Sequence, residues 1–139
     1  RDRLRSRGLG DVYKRQAKAI AFGVVDNIGP LGCLVAISGL YLICSILTEM
    51  ISNNAVAAVM GPLAYEMALQ FDANPIPFIL AVMFGASASF STPIGYQTNT
   101  YVYNAGGYKF KDFVKVGLPL NLLLWVIFTC AIGWLYPLK

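Results

Sequence analysis

The stretch "LTEMISNNAVAAVMGPLA", residues 47–64, sets three adjacent polar side chains between two apolar segments: Ser52, Asn53 and Asn54. The segment before them, from Asn27 to Thr48, carries no charged residue, and the segment after them runs from Ala55 to Gln70. The length and apolar character of both segments are typical of helices. The stretch therefore predicts two helices joined by a short polar connection.

The composition of the whole chain is that of a membrane protein. Hydrophobic residues make up 57% of the 139 residues and charged residues only 13%, which is outside the usual range of soluble domains. The net charge of +4 lies entirely in residues 1–16, because the remaining residues hold five Lys and five acidic side chains. A basic charge confined to one end does not indicate a nucleic-acid partner, and none is predicted.

The first segment, "RDRLRSRGLGDVYKRQ", is set apart from the rest. Its Gly and Arg pattern predicts no strong helix, no apolar run follows its charges as in a signal peptide, and "GLGDVYKRQ" resembles a translated sequencing adapter. We therefore predict a non-native segment over residues 1–16, and we base the functional interpretation on residues 17–139. A basic arm at an anionic membrane surface is the alternative.

The residue types present give little support to an enzymatic function. The sequence contains no His, and its three cysteines lie in apolar stretches without a Cys-x-x-Cys spacing. Histidine-based triads and metal sites are thereby excluded, and the cysteines are interpreted as small buried hydrophobes. We expect no enzymatic activity.

A second polar interruption follows in the next apolar region. The segment "PFILAVMFGASAS" predicts a helix from Pro77, but "FSTPIGYQTN" breaks it with Pro93 and Gly95 among hydroxyl and amide side chains. After a loop at "GGYKFKDF", a final apolar helix is predicted over Phe113–Leu138. Lysines cluster before this helix, so the positive-inside rule places that loop in the cytoplasm and the C-terminus outside.

Two irregular segments at membrane depth suggest a lined cavity, since unpaired backbone groups are tolerated there only beside protein or water. Pro93 has no N–H, so the Ser89 carbonyl is expected to lose its helical partner, leaving an oxygen of the kind that sodium prefers. The helix beginning near Ala55 would direct free N–H groups at an anion. Because no Lys or Arg lies between Lys18 and Lys109, co-bound sodium would neutralise that anion.

Other interpretations fit the same residues. The Ser-Asn-Asn triplet is also a suitable N-cap for an ordinary surface turn, and the Pro-Gly break is also suited to a packed kink. Glu49 lies one helical turn before Asn53. It is either a functional intramembrane acid, as in a proton-coupled carrier or antiporter, or a carboxylate at the outer interface. A membrane scaffold subunit that does not transport is the remaining alternative.

The two polar stretches together resemble one known family. "LTEMISNNAVAAVMGPLA" followed by "STPIGYQTNTYVYNAGGYKFKDFVKVGLPLNLLL" is similar to the end of the divalent anion:sodium symporter family, whose members carry dicarboxylates, citrate or sulfate. The resemblance implies an all-α polytopic membrane protein with a re-entrant helical hairpin, a broken helix and a terminal transmembrane helix. These would form half of an inverted-repeat carrier, and residues 17–139 would be the C-terminal portion of the transporter membrane domain of a longer protein.

The resemblance also implies roles for particular residues. Substrate would contact the tip of the hairpin and the break in the following helix, at Ser52, Asn53, Asn54, Thr92 and Pro93. Sodium would be bound by Thr48, by Asn53 and by the backbone carbonyls of Ile51 and Ser91. Asn54 replaces the Thr of the family motif, and the continuation after Pro93 is closer to the family's sulfate branch than to its dicarboxylate carriers.

The sequence as a whole therefore predicts sodium-coupled symport of a small divalent anion, sulfate or a dicarboxylate, by alternating access. The expected partners are the anionic substrate, sodium ions, the lipid bilayer, the missing N-terminal half of the same carrier and a second copy in a homodimer. The expected location is a bacterial inner (plasma) membrane.

Overall fold

The computed structural model describes residues 2–28 and 32–136, and within these ranges every regular element is a helix. In chain order the helices are α1 (Asp2–Ile28), α2 (Cys33–Thr48), α3 (Asn53–Gln70), α4 (Pro75–Ser87), α5 (Gln97–Gly106) and α6 (Phe110–Leu135). The predicted all-α class is confirmed.

Helices α2 and α3 form the predicted pair around the polar tip. The connection between them is only residues 49–52, and the Met50 and Ile51 amides both donate to the Leu47 carbonyl at 3.0 Å, which closes the last turn of α2. The first helix is shorter than expected, because α2 begins at Cys33 and Asn27 belongs to α1. Gly32 precedes α2 with a φ of +101°, a conformation that favours glycine and separates the two helices.

Helix α4 packs against both arms of this pair and completes the core. Ile37 from α2, Val56 from α3 and Phe78 from α4 are each fully buried. A Cβ atom on Gly85 would lie 2.7 Å from the Cys44 Cβ and 2.8 Å from the Tyr41 carbonyl oxygen. The backbones of α2 and α4 therefore approach as closely as a glycine permits, which is typical of helix pairs in membranes.

Helix α1 corrects the prediction that the first residues form no strong helix. It is continuous from Asp2, and Ala17 and Ala21 are buried where it packs against α3. Arg, Lys, Leu and Gln are good helix formers, and they outweigh the two glycines of the segment. The predicted division between residues 16 and 17 falls inside α1, and it stays a prediction.

The region after α4 holds an element that the sequence did not predict. The chain is non-helical over residues 88–96, and α5 then forms from "QTNTYVYNAG", whose Asn, Thr and β-branched residues have low helix propensity. Gly107 ends α5 in the left-handed conformation, with a φ of +64°, so the expected loop shrinks to residues 107–109. The Lys109 amide donates to the Asp112 carboxylate at 2.9 Å and caps the start of α6.

Helix α6 is, within the described residues, the single helix long and apolar enough to cross a membrane, while α2 and α4 are shorter apolar helices. It packs on α2 through Trp125, whose indole N–H donates to the Ser38 hydroxyl at 2.8 Å. Most of the α6 surface is exposed within this chain, and Cys130 lies on it. The interpretation of the cysteines as buried is therefore right for Cys44 and wrong for Cys130.

Candidate functional site: the junction of the hairpin tip and the α4–α5 break

The hairpin tip presents the start of α3. Ser52 is the N-cap, and its hydroxyl oxygen accepts a hydrogen bond from the Ala55 amide at 3.3 Å. Ser52 and Asn54 are exposed, and Asn53 is half-buried. The first N–H groups of a helix carry a partial positive charge, so the tip is a favourable place for an anion.

The carbonyl groups of the α4–α5 break, residues 88–96, receive hydrogen bonds from side chains. The Ser89 carbonyl, which was expected to lose its helical partner, accepts from the Asn99 amide at 2.8 Å. The same Asn99 nitrogen lies 3.3 Å from the Thr92 carbonyl, and the Pro93 carbonyl accepts from the Thr100 hydroxyl at 2.6 Å. Helix α5 thus supplies the donors that make the irregular backbone tolerable away from water.

The amide groups of the break are held by Glu49. One carboxylate oxygen accepts from the Ser91 amide at 2.8 Å, and the other accepts from the Thr92 amide at 2.9 Å and from the Thr92 hydroxyl at 2.8 Å. The Asn121 side chain of α6 donates to the first oxygen at 3.0 Å. Glu49 is half-buried and joins the tip to the break, a role that neither interpretation of this residue anticipated.

Two glycines let the surrounding backbone close on this junction. A Cβ on Gly95 would overlap the Ser89 hydroxyl and lie 2.9 Å from the Thr48 carbonyl oxygen. A Cβ on Gly117 would overlap the Phe90 carbonyl and lie 2.6 Å from the Ser91 Cα. The break is therefore packed between the hairpin tip on one side and α6 on the other.

Three oxygen atoms converge beside the tip. The Thr48 hydroxyl, which is fully buried, lies 2.5 Å from the Asn53 side-chain oxygen and 2.7 Å from the Ala86 carbonyl oxygen. A hydroxyl has one hydrogen, so it satisfies one of these acceptors at a time. The three atoms are a hydroxyl, an amide and a carbonyl oxygen, which are the kinds of ligand that a hard cation prefers.

The predicted site residues fall into two groups around Glu49. Thr48 and Asn53 are in direct contact on the α2–α3 side, whereas Ser91 and Thr92 are bound to the Glu49 carboxylate on the break side. In the described part of the chain, no hydrogen bond joins the first group directly to the second.

The remaining predicted residues lie around these groups. Ile51 is exposed at the tip, while Pro93 is buried and its carbonyl is bound to Thr100. Asn54 and Asn53 line a cleft of about 350 Å³ whose other wall is the C-terminal end of α4, at Met83, Phe84, Ala86 and Ser87. Thr92 and Pro93 are not among the residues lining this cleft.

Several residues of the junction were not predicted from the sequence. Asn121 carried a usable signal, since it is the one amide in the apolar run "VGLPLNLLLWV" and polar groups within such runs are functional candidates. Asn99 and Thr100 carried no signal, because they follow the break within a stretch that is polar throughout. Ala86 contributes only its backbone carbonyl, which no residue type reveals.

These observations define a class: a helical membrane protein in which a hairpin tip and a broken helix meet at one polar junction. Comparison with known proteins gives the family. The model of the sodium:sulfate symporter transmembrane region matches residues 20–139, and the chain belongs to this family of transporters. The family resemblance drawn from the sequence is confirmed, and the family is one of integral membrane proteins.

Curated relatives agree with this assignment. The chain is 50% identical over 84 residues to an uncharacterized transporter of Synechocystis, covering 60% of the chain and 14% of that protein. It is 34% identical over 115 residues to the uncharacterized transporter YfbS of Escherichia coli, covering 83% of the chain and 19% of the relative. It is 36% identical over 99 residues to sodium/sulfate cotransporter 1 of Chlamydomonas reinhardtii, covering 71% of the chain and 11% of the relative. The chain thus spans less than a fifth of each of these proteins.

Proposed function

We propose that this chain forms half of the binding site of a sodium-coupled symporter for a small divalent anion, with sulfate as the first candidate and dicarboxylates as the second. The observation that carries the proposal is the junction, where a helix N-terminus, a cluster of three oxygen atoms and a helix break lie together around Glu49. The relative named as a sodium/sulfate cotransporter supports sulfate as the first candidate.

Sodium would be bound by side-chain oxygens of Thr48 and Asn53 and by the backbone carbonyls of Ile51 and Ser91. The Thr48 hydroxyl lies close to two other oxygen atoms but can donate its one hydrogen to only one of them at a time. A cation bound there would be coordinated by all three oxygens, which supports this role. The Ser91 carbonyl accepts no hydrogen bond from the described residues, so it is free to be a ligand. Sodium is cargo here and moves with the anion.

The anion would be bound between the tip and the break, by Ser52, Asn53, Asn54, Thr92 and Pro93. The N-terminus of α3 offers partial positive charge, and the sequence has no Lys or Arg from residue 19 to residue 108. Glu49 adds a negative charge to the same region. A divalent anion is therefore stable there only with co-bound cations, which is the physical reason for coupling its transport to sodium.

Transport would proceed by alternating access within a longer carrier. The matched region makes up 11% to 19% of the relatives described above, so a second hairpin from the rest of such a protein would complete the site. Inverted-repeat carriers bind their substrate where two such halves meet near the middle of the membrane. The proposed location is the inner membrane of a bacterium, as part of a homodimer.

Proton coupling through Glu49 is the weaker alternative. Three of the four contacts of its carboxylate come from N–H groups, which can only donate, so its oxygens serve as acceptors that bind the break and α6. The scaffold alternative is disfavoured because the chain belongs to a family of transporters.

Uptake by the full-length carrier containing this chain tests the proposal. Cells expressing it are expected to accumulate labelled sulfate when sodium is present and to stop when choline replaces sodium, with labelled succinate as the competing candidate. Uptake of neither anion, or uptake driven by a pH gradient and indifferent to sodium, would contradict the proposal.

A further inference from the structure

The Glu49 carboxylate is the one point where the hairpin tip, the α4–α5 break and α6 are bound together in the described part of the chain. Glu49 follows the last residue of α2, the Ser91 and Thr92 amides belong to the break, and Asn121 belongs to α6. None of the binding roles proposed above is assigned to Glu49 or Asn121, yet both of the Glu49 oxygens are used.

The orientation of the Asn121 amide indicates that these contacts are arranged around the charge of the Glu49 carboxylate. Its nitrogen donates to Glu49 at 3.0 Å and lies 2.8 Å from the Ser91 hydroxyl, while its oxygen is buried without a hydrogen-bond partner among the described residues. Rotating the amide would give that oxygen a donor in the Ser91 hydroxyl, but it would also set the oxygen against the Glu49 carboxylate. The negative charge therefore selects the donating orientation, at the cost of one unsatisfied acceptor.

The same contacts fix the two break residues that the proposed function uses most. Two neighbouring amides bound to the two oxygens of one carboxylate restrict the backbone at Ser91 and Thr92. The direction of the Ser91 carbonyl and the placement of the Thr92 side chain both depend on that backbone. Close packing at Gly95 and Gly117 restricts the break sterically. Glu49 restricts it by charge-assisted hydrogen bonds.

We propose that Glu49 and Asn121 are positioning residues that form a latch, defined as the Glu49 carboxylate with its donors on Ser91, Thr92 and Asn121. The latch holds the cargo-binding break against the hairpin tip and ties both to α6, so that the three elements move as one body during transport. Its effect on transport rests on the proposed function, whereas its effect on the break is measurable without transport.

Hydrogen exchange in the purified full-length carrier tests the latch directly. Glu49→Gln keeps the size of the side chain but removes its charge and sets an NH2 group against donors. Protection of the Ser91 and Thr92 amides is expected to fall about tenfold or more. The matched control is Glu66→Gln, because Glu66 is a half-buried carboxylate of α3 that accepts no hydrogen bond from the described residues. It should leave these amides unchanged.

A milder variant keeps the test decisive if Glu49→Gln fails to fold. Asn121→Ala removes one of the four donors together with the buried unpaired oxygen, and it should lower the protection of the same amides by a smaller factor. Glu49→Asp retains a carboxylate and is expected to restore part of the protection lost in Glu49→Gln. Unchanged protection in Glu49→Gln would overturn the proposal, and if that variant does not fold, unchanged protection in Asn121→Ala would overturn it.

Transport kinetics separate positioning from a general loss of structure. At equal surface expression, Asn121→Ala should raise the sulfate concentration for half-maximal uptake about tenfold while changing the maximal rate less. A fall in maximal rate alone, with half-saturation unchanged, would overturn the positioning role. If the unmodified carrier takes up no sulfate, the proposed function fails, but the exchange experiment still decides whether the latch exists.

Discussion

At the scale of single residues, Asn53 links the two functions proposed for the hairpin tip. Its side-chain oxygen contacts the buried Thr48 hydroxyl, and its side chain also lines the cleft beside α4. Asn53 thus belongs to both the proposed sodium site and the proposed anion site. Asn54 also lines the cleft but has no proposed role in binding sodium. A change at Asn53 should therefore affect both cargoes together.

We expect Asn53→Ala to abolish sodium-dependent anion uptake while the carrier still reaches the membrane. The substitution removes an oxygen ligand and a polar contact but leaves Ser52 as the N-cap of α3. The measurements are uptake, surface expression and the rise in thermal unfolding temperature that sodium causes in the purified carrier, which should disappear. Asn104→Ala, at an exposed position of α5, is the control. Rates equal to those of the unmodified carrier in Asn53→Ala would refute the site assignment.

At the scale of elements, helix α6 shapes the break by close approach. Gly117 faces the backbone of Phe90 and Ser91, and backbone atoms cannot rotate away as the end of a flexible side chain can. A Cβ atom on Gly133, further along the same helix, would have only Leu34 methyl groups near it, at 3.5 Å and 3.8 Å. The two glycines allow the same substitution to be compared in one helix.

Gly117→Ala is expected to destabilise the protein by about 1–3 kcal/mol, because the added methyl group overpacks the contact between α6 and the break. Gly133→Ala should instead be neutral or stabilise it by up to about 1 kcal/mol, since alanine is the better helix former. Thermal unfolding in detergent, compared between the two variants, measures the difference. Equal unfolding temperatures would show that α6 does not contact the break closely.

The helices also show which parts of the fold could be predicted from local sequence patterns. The paired helices around Ser52 were predicted because a capping residue and two long apolar segments define such a pair without reference to the rest of the chain. Helix α5 was not predicted, because its residues have low helix propensity and Asn99 and Thr100 are held by bonds to the break. Its stability comes from tertiary contacts that no local pattern expresses.

At the scale of the whole molecule, the arrangement of the helices predicts how the chain sits in the membrane. Helices α2 and α4 are apolar but shorter than the 26-residue α6, as expected for one arm of a re-entrant hairpin and for a broken helix. By the positive-inside rule, the lysines at positions 109, 111 and 115 predict that the start of α6 is cytoplasmic. The α3–α4 connection, which contains Asp72, would then lie outside.

Labelling of single cysteines tests this topology. In a full-length carrier without its native cysteines, Asp72→Cys should react with a membrane-impermeant maleimide added to intact cells. Lys111→Cys should react only after the cells are opened, because it lies on the cytoplasmic side. Labelling of both positions from the same side would contradict the predicted crossing of the membrane by the broken helix.

The sequence by itself determined the membrane class, the hairpin tip, the break at Pro93 and the family, because hydrophobicity, caps, proline and motif order are local properties of the chain. Only the tertiary structure decided how the tip and the break are joined. Glu49, Ser91 and Asn121 are separated by tens of residues, and their contacts depend on the packing of α2, α4 and α6. A carboxylate in the sequence shows only that a charge is present, whereas the fold decides which donors surround it.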